Sequence, residues 1–424
     1  MHMHRKLRWD IFCTVVDNYG DIGVCWRLAR QLVAEQGQQV RLWVDDLAAF
    51  NRLCPTLDMT QAAQVQAGVT IQHWQRNTPI RIATDAVSNV IVEAFACELP
   101  PAYLQAMQAS MAQHQVNSPD QPAPYIWINL EYLSAEPWVK GCHGLPSPVS
   151  QAGGAILPPK YFFFPGFEAG TGGLIREAEL LTRRDAFLQE PAQRQELAAQ
   201  LYQQLGAAAP QAAAIKVLLF SYPNPHLVEL LQAWIDSPQP VHVWVPEGPV
   251  LEAIRQYFDS APRTKAFAQG NLTLVRMPFL PQPDFDTLLW ACDLLMVRGE
   301  DSFVRAQWAA RPLVWHIYPQ EAAIHHDKLA AWLTAYRQQL DAPAAQVLHD
   351  LHARWNALPA EAQDASHTSP SSVFANAPSF AESWPRLLKQ LPNLTQHAIV
   401  WANHLTQLGD LADNLAKFVQ GKLE

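Results

Sequence analysis

Two acidic residues four positions apart, Asp17 and Asp21, stand in the stretch Val16-Asp17-Asn18-Tyr19-Gly20-Asp21-Ile22-Gly23. One helical turn puts carboxylates at that spacing on the same side. Gly20 and Gly23 let the backbone turn tightly or come close to a ligand. Such a pair can hold a cationic group by parallel hydrogen bonds and take a proton from it. Asp21 can equally do no more than cap the helix that follows. The glycine spacing is not GxGxxG, so a dinucleotide fingerprint is excluded.

A second charged loop is Arg298-Gly299-Glu300-Asp301-Ser302-Phe303-Val304-Arg305, which leaves the apolar run Leu294-Leu295-Met296-Val297. A helix opening at Asp301 or Ser302 would offer its first N–H groups to an anion. Glu300 can accept hydroxyls of a sugar or ribose, and the alternative is a solvated charged turn. Phe220-Ser221-Tyr222 and Met277-Pro278-Phe279-Leu280-Pro281-Gln282 follow two other apolar runs. A ring from these can stack on a base and Gln282 can read its edge, or the rings are core at strand ends. His316-Ile317-Tyr318-Pro319-Gln320 is a further strand-end loop, with His316 a structural histidine. No Ser/His/Asp elbow, HExxH or P-loop occurs, and no DxD metal-site triplet stands at a strand end; Asp45-Asp46 are adjacent, not spaced. His325-His326-Asp327 is read as helix surface rather than as metal ligands.

These loops need a scaffold, and the apolar runs supply one. Strands are expected over 9–16, 40–44, 69–74, 89–93 and 125–130, with helices over 24–36 and 101–112. After a Pro/Gly/Ser-rich stretch over 137–173, carrying Tyr161-Phe162-Phe163-Phe164, come a helix over 190–205 and an Ala/Pro linker over 207–214. Strands then recur over 216–220, 241–245, 272–277, 294–298 and 313–315, with helices over 227–235, 251–258, 284–291 and 303–310. Alternation of this kind predicts parallel sheets with right-handed crossovers. Two such halves in series predict an α/β protein of two Rossmann-like domains facing across a cleft, with ligands at the carboxyl ends of the strands. The expected domains are 1–180 and 181–399, with a terminal helix over about 400–424 packing back on the first. Residues 347–387 are expected to be partly loop, and 394–418 terminal helices.

The 424 residues are 49% hydrophobic and 16% charged, with a net charge of −9. That composition builds cores and argues against nucleic-acid binding, which needs clustered Lys and Arg. Arg5, Lys6 and Arg8 form only a short solvated end. The cysteines at 13, 25, 54, 97, 142 and 292 make no CxxC, with Cys13 and Cys97 read as buried hydrophobes. This suits a reducing compartment. No signal-peptide apolar region and no membrane-length run is present, so the expected location is cytoplasmic, away from membranes.

Eight segments together resemble one family. VVDNYGDIGVCWRLARQL (15–32), EAFACELP (93–100), NLEYLSAEPW (129–138), PKYFFFPGF (159–167), TGGLIRE (171–177), MPFLPQPDFDTLL (277–289), RGEDSFVRAQWA (298–309) and WHIYPQ (315–320) are similar to the EarP-type protein-arginine rhamnosyltransferases. The resemblance runs in order from about residue 9 to 330. It implies a GT-B fold and an inverting transfer of L-rhamnose from dTDP-β-L-rhamnose, a co-substrate, to an arginine of translation elongation factor P. No cofactor or metal is implied. Catalytic residues carry over to Asp17 and Asp21, which also bind the acceptor, and to Glu300. The donor would meet Arg298, Glu300, Asp301, Ser302, Phe279, Gln282, Ser221 and Tyr222, with Phe220 an alternative to Tyr222 for the ring. The domains would close on their substrates. Two other classes fit the two-domain shape: a nucleotide-sugar epimerase and a non-catalytic nucleotide-sugar-binding protein. A metal-dependent transferase is a further rival.

Overall fold

The structure is a computed structural model that describes residues 6–17, 19–75, 82–118, 120–121, 123–148, 157–258, 266–319, 324–357 and 377–423. Asn18, Gln320 and the terminal His2, His4 and Arg5 lie outside the described residues. The chain forms two compact units, Met1–Ala178 with Leu405–Glu424, and Glu179–His404.

The first unit is built on eight strands: β1 (Arg8–Cys13), β2 (Gln39–Val44), β3 (Ala63–Gln66), β4 (Val69–His73), β5 (Val90–Ala94), β6 (Ile126–Leu130), β7 (Pro146–Ser147) and β8 (Lys160–Phe163). Their order is β3-β4-β2-β1-β5-β6-β8-β7. The inner pairings are parallel, and β5 and β6 are buried along their whole length, as strands covered on both faces must be. The expectation of purely parallel sheets is corrected at the edges. β3 and β7 pair antiparallel with β4 and β8; between β3 and β4 the turn at Ala67 and Gly68 leaves no room for a crossover helix. The aromatic run 161–164 also belongs to the sheet, where Tyr161, Phe162 and Phe163 pair with Ile128, Asn129 and Leu130. The strand expected over 9–16 stops at Cys13 and the helix expected from 24 starts at Gly20. The intervening loop is therefore short and held at the strand end.

The second unit holds β9 (Ile215–Leu219), β10 (Val241–Pro246), β11 (Ala266–Gln269), β12 (Leu272–Met277), β13 (Leu294–Arg298) and β14 (Leu313–His316). Their order is β11-β12-β10-β9-β13-β14. All pairings are parallel except β11 with β12, closed through Gly270 at φ 55°. Residues 347–387 are more helical than expected: helices Ala342–Trp355 and Phe380–Thr406 enter the segment from both sides, while 358–376 lie outside the described residues.

In each sheet the chain starts in the middle and turns back. From β1 the strand order runs one way through β2 and the other through β5; from β9 it runs through β10 and through β13. Loops at such a reversal splay apart and leave room for a ligand at the carboxyl ends. The end of the chain completes the first unit. Leu174 and Asp410 form a parallel bridge, the Leu411 N–H donates to the Leu174 carbonyl at 3.1 Å, and Asn414 donates to the Gly172 carbonyl at 3.0 Å. A Cβ at Gly172 would lie 2.5 Å from the Phe163 ring, so only glycine fits.

Candidate active site

The loop between β1 and the helix Gly20–Ala34 folds around the Asp21 carboxylate. The backbone N–H groups of Val16 and Asp17 each donate to Asp21 Oδ2 at 2.8 Å. The helix N-cap is Tyr19, with no side-chain cap bond, so Asp21 is not the cap that its position allowed. It sits in the first turn and holds the preceding loop instead. Asp21 is 2% exposed and Asp17 9%. Gly20 is needed between them, because a Cβ there would stand 2.7 Å from an Asp17 carboxylate oxygen. Burial pushes the Asp21 pKa up, opposed by the two N–H bonds and by a hydrogen bond with Tyr132, and reinforced by the nearby Asp45 charge. Asp45 in turn accepts the Val15 N–H at 2.9 Å, and Asp46 caps the helix Leu47–Leu53 through the Ala49 N–H.

Tyr132 comes from the loop after β6 and stacks on Phe95, from the loop after β5, with centroids 4.4 Å apart and planes 17° apart. Phe95, Ala96 and Glu98 all have left-handed backbones, at φ 56°, 53° and 55°. Three non-glycine residues in that region store about 1–3 kcal/mol each, a pattern found at functional sites. The Ala96 N–H donates to Asn129 Oδ1 at 3.2 Å, tying the loop after β5 to the end of β6. Sequence reasoning gave Phe95 and Tyr132 no role. The signal was present in EAFACELP and NLEYLSAEPW, but no spacing rule places an aromatic pair from different strands beside Asp21.

In the second unit, the ends of β9 and β13 bring Phe220, Ser221, Tyr222 and Arg298 together. The Arg298 guanidinium carbon lies 4.7 Å from the Phe220 ring centroid and 4.8 Å from that of Tyr222, within cation–π range of both. His316, at the end of β14, is 2.6 Å from Ser221 Oγ through Nδ1. Burial and the Arg298 charge push its pKa down to about 3, so the ring is neutral at physiological pH. A cavity of about 240 Å³, part of it open to solvent, lies here and is lined by Phe220, Ser221, Glu247, Gly248 and Arg298 among others. The helix Asp301–Trp308 begins beside it with Glu300 as N-cap and no side-chain cap. Ser302 accepts the Arg298 N–H at 3.2 Å and donates back to the Arg298 carbonyl, closing the turn at Gly299, whose φ is 60°. Trp315 fixes that turn by donating to the Gly299 carbonyl at 2.8 Å.

Glu300 and Asp301 are thus half-buried at a helix start, with Ser302 buried behind them. Phe279 and Gln282 lie on a separate loop, after β12, and Gln282 opens the helix Gln282–Ala291. Their side chains are half-buried and buried respectively. The histidine pair does not stay where the sequence placed it. His325 and His326 are 4% and 2% exposed, and His326 Nε2 lies 3.0 Å from the Asn356 carbonyl; the helix turns them inward, not to its surface. Among the described residues no group of three or more His, Cys, Asp or Glu is arranged to hold a metal, and no helix is long and apolar enough to cross a membrane. All six thiols are free, and burial pushes those of Cys97 and Cys292 up.

Two Rossmann-like units in one chain have acidic and aromatic groups at one strand-order reversal. An arginine and a helix start lie at the other. These define a glycosyltransferase of the GT-B class. The chain belongs to the Elongation-Factor P (EF-P) rhamnosyltransferase EarP family, whose model matches residues 9–420. It is 45% identical over 424 residues to the protein-arginine rhamnosyltransferase of Pseudomonas putida, covering 99% of this chain and 100% of that one. Its identity to the protein of the same name from Pseudomonas aeruginosa is 43%, covering 97% and 98%. A solved structure described as the structural basis for EarP-mediated arginine glycosylation of translation elongation factor EF-P superposes with a TM-score of 0.64. It shares 33% identity and covers 98% of this chain and 99% of its own.

Proposed function

We propose that this enzyme transfers L-rhamnose from dTDP-β-L-rhamnose to an arginine side chain of translation elongation factor P, with inversion and without a metal ion. Asp21 is the observation that carries this reading. A buried carboxylate with a raised pKa is a better proton acceptor than an exposed one. It is matched here to a difficult nucleophile, since a guanidinium has a pKa above about 12 and attacks poorly while delocalised. Asp21 holds one guanidinium nitrogen toward the anomeric carbon and takes its proton as the C–N bond forms. Asp17 orients Asp21 or the guanidinium, and the Phe95–Tyr132 stack offers the planar cation a face. The C–O bond to dTDP breaks as the C–N bond forms, so a single displacement inverts the anomeric centre.

Charge then grows on the diphosphate. Arg298 and the first N–H groups of the helix Asp301–Trp308 meet it in place of a cation. Glu300 takes sugar or ribose hydroxyls, Phe279 and Gln282 the base, and Phe220 or Tyr222 a second ring contact. The acceptor belongs to the unit of Asp21 and the donor to the unit of Arg298. Support for the protein acceptor comes from the family description and from the relatives named protein-arginine rhamnosyltransferase. Six free thiols suit a reducing cytoplasm.

Intact-mass measurement of elongation factor P after incubation with the enzyme and dTDP-rhamnose tests the reaction directly. One deoxyhexosyl unit should be added, at an arginine, at the same rate in EDTA. Turnover of the donor without protein would favour an epimerase. Loss of activity in EDTA, restored by Mg²⁺ or Mn²⁺, would remove metal independence.

A further inference from the structure

The helices that follow the loop carrying Phe279 and Gln282 and the loop carrying Arg298 to Ser302 are linked by a buried ion pair. Asp286 lies on the helix Gln282–Ala291 and Arg305 on the helix Asp301–Trp308. Arg305 Nε donates to Asp286 Oδ1 at 2.8 Å and Nη2 to Oδ2 at 2.7 Å. The side chains are 1% and 5% exposed.

Such a pair is an unusual way to fill a core. Removing both charges from water costs about as much as their attraction returns, and an apolar pair of similar volume serves stability as well or better. What an apolar pair lacks is direction. A guanidinium fork on a carboxylate fixes both distance and angle. Here it fixes one helix start against another. The strands that feed the two loops, β12 and β13, are not neighbours, because β10 and β9 lie between them. No hydrogen-bond ladder therefore sets the two loops directly against each other.

We propose that the Arg305–Asp286 pair positions the donor site, holding the 277–282 and 298–302 loops at the separation that a nucleoside diphosphate spans. This rests on the donor assignment proposed above. Both are positioning residues, acting through the loops they hold.

The test compares two ligands on the full chain: dTDP, whose base and diphosphate must meet both loops at once, and thymidine, which lacks the diphosphate. The double variant Asp286→Leu/Arg305→Met removes both charges and keeps the bulk. It should melt no lower than wild type, yet bind dTDP about tenfold or more weakly, since small misplacements of binding groups are expensive. Thymidine affinity, followed by NMR titration, should stay within about twofold, because it lacks the diphosphate whose placement depends on the spacing of the two loops. Arg305→Lys keeps the charge without the fork. It should raise the KM for the donor and leave the KM for the acceptor unchanged, and it carries the test if the double variant does not fold. Wild-type dTDP affinity in a folded variant would overturn the proposal. So would equal losses for dTDP and thymidine, which would mean general loosening. If the wild type itself does not bind dTDP, the donor assignment fails and the positioning role fails with it.

Discussion

The two units answer the same topological question with opposite charge. Each places its central candidates where the strand order reverses: Asp17, Asp21 and Phe95 after β1 and β5, and Phe220, Tyr222 and Arg298 at the ends of β9 and β13. In the first, Asp21 is pushed up by burial and by the nearby Asp45 charge, against its own hydrogen bonds. In the second, an arginine lies against two rings, and the neighbouring His316 is kept neutral by burial and by that same arginine. One site suits a cation that must lose a proton, the other an anion that must leave. The fold supplies the place, and a few loop residues supply the sign.

The largest test of this contrast is Asp21→Asn. Turnover should fall by about 10²–10⁴-fold, the usual worth of a general base, with dTDP affinity unchanged by calorimetry. Stability should move the other way. A carboxyl whose folded pKa is raised binds protons more readily folded than unfolded. Its ionised form therefore reduces stability as pH climbs from the ordinary carboxylate range through the raised value. At neutral pH the Asn variant should melt at or above the wild-type temperature. Robust transfer by this variant would leave Asp17 or Glu300 as the base.

Arg298→Met should act on the other sign. Removing a group that meets developing negative charge costs about 10²–10³-fold in kcat, and here dTDP affinity should fall too. The KM for the protein acceptor should hold. An equal rise in acceptor KM would break the division of labour between the units.

Tyr132→Phe is the smallest of the three. It removes one hydrogen bond to Asp21, worth about 1 kcal/mol, and so a roughly fivefold loss in kcat/KM. The Tyr132 bond lowers the Asp21 pKa, so without it the pKa rises further. The acid limb of the pH profile should move to higher pH. An unmoved limb would mean that Tyr132 serves only the stack with Phe95.

Much of this was legible because buried parallel strands leave a plain mark. The run Leu294–Val297 is an unbroken apolar stretch, and β13 occupies it together with Arg298; 272–277, apolar but for Thr273 and Arg276, is β12. The charged loop after β13 was legible for the same reason, as a hydrophilic break at a strand end. What was not legible depended on partners far along the chain. The strand at Tyr161–Phe163 sat inside a Pro/Gly-rich stretch and exists through its pairing with β6. His325 and His326 looked like helix surface because their covering residues, such as Asn356, come later. The Tyr132 bond to Asp21 and the Arg305–Asp286 pair follow no local spacing at all.

The route of the chain also sets an order of events during synthesis. All of the second unit lies within the continuous stretch Glu179–His404, whereas the first unit draws on both Met1–Ala178 and Leu405–Glu424. The bridge from Leu174 to Asp410, and the bond from Gln31 to Asp410 at 2.9 Å, wait for residues made near the end. A nascent chain on the ribosome can therefore close the second unit while the first still lacks its final helix. The Asp17–Asp21 loop, though made before the whole of the second unit, belongs to the unit that is completed after it.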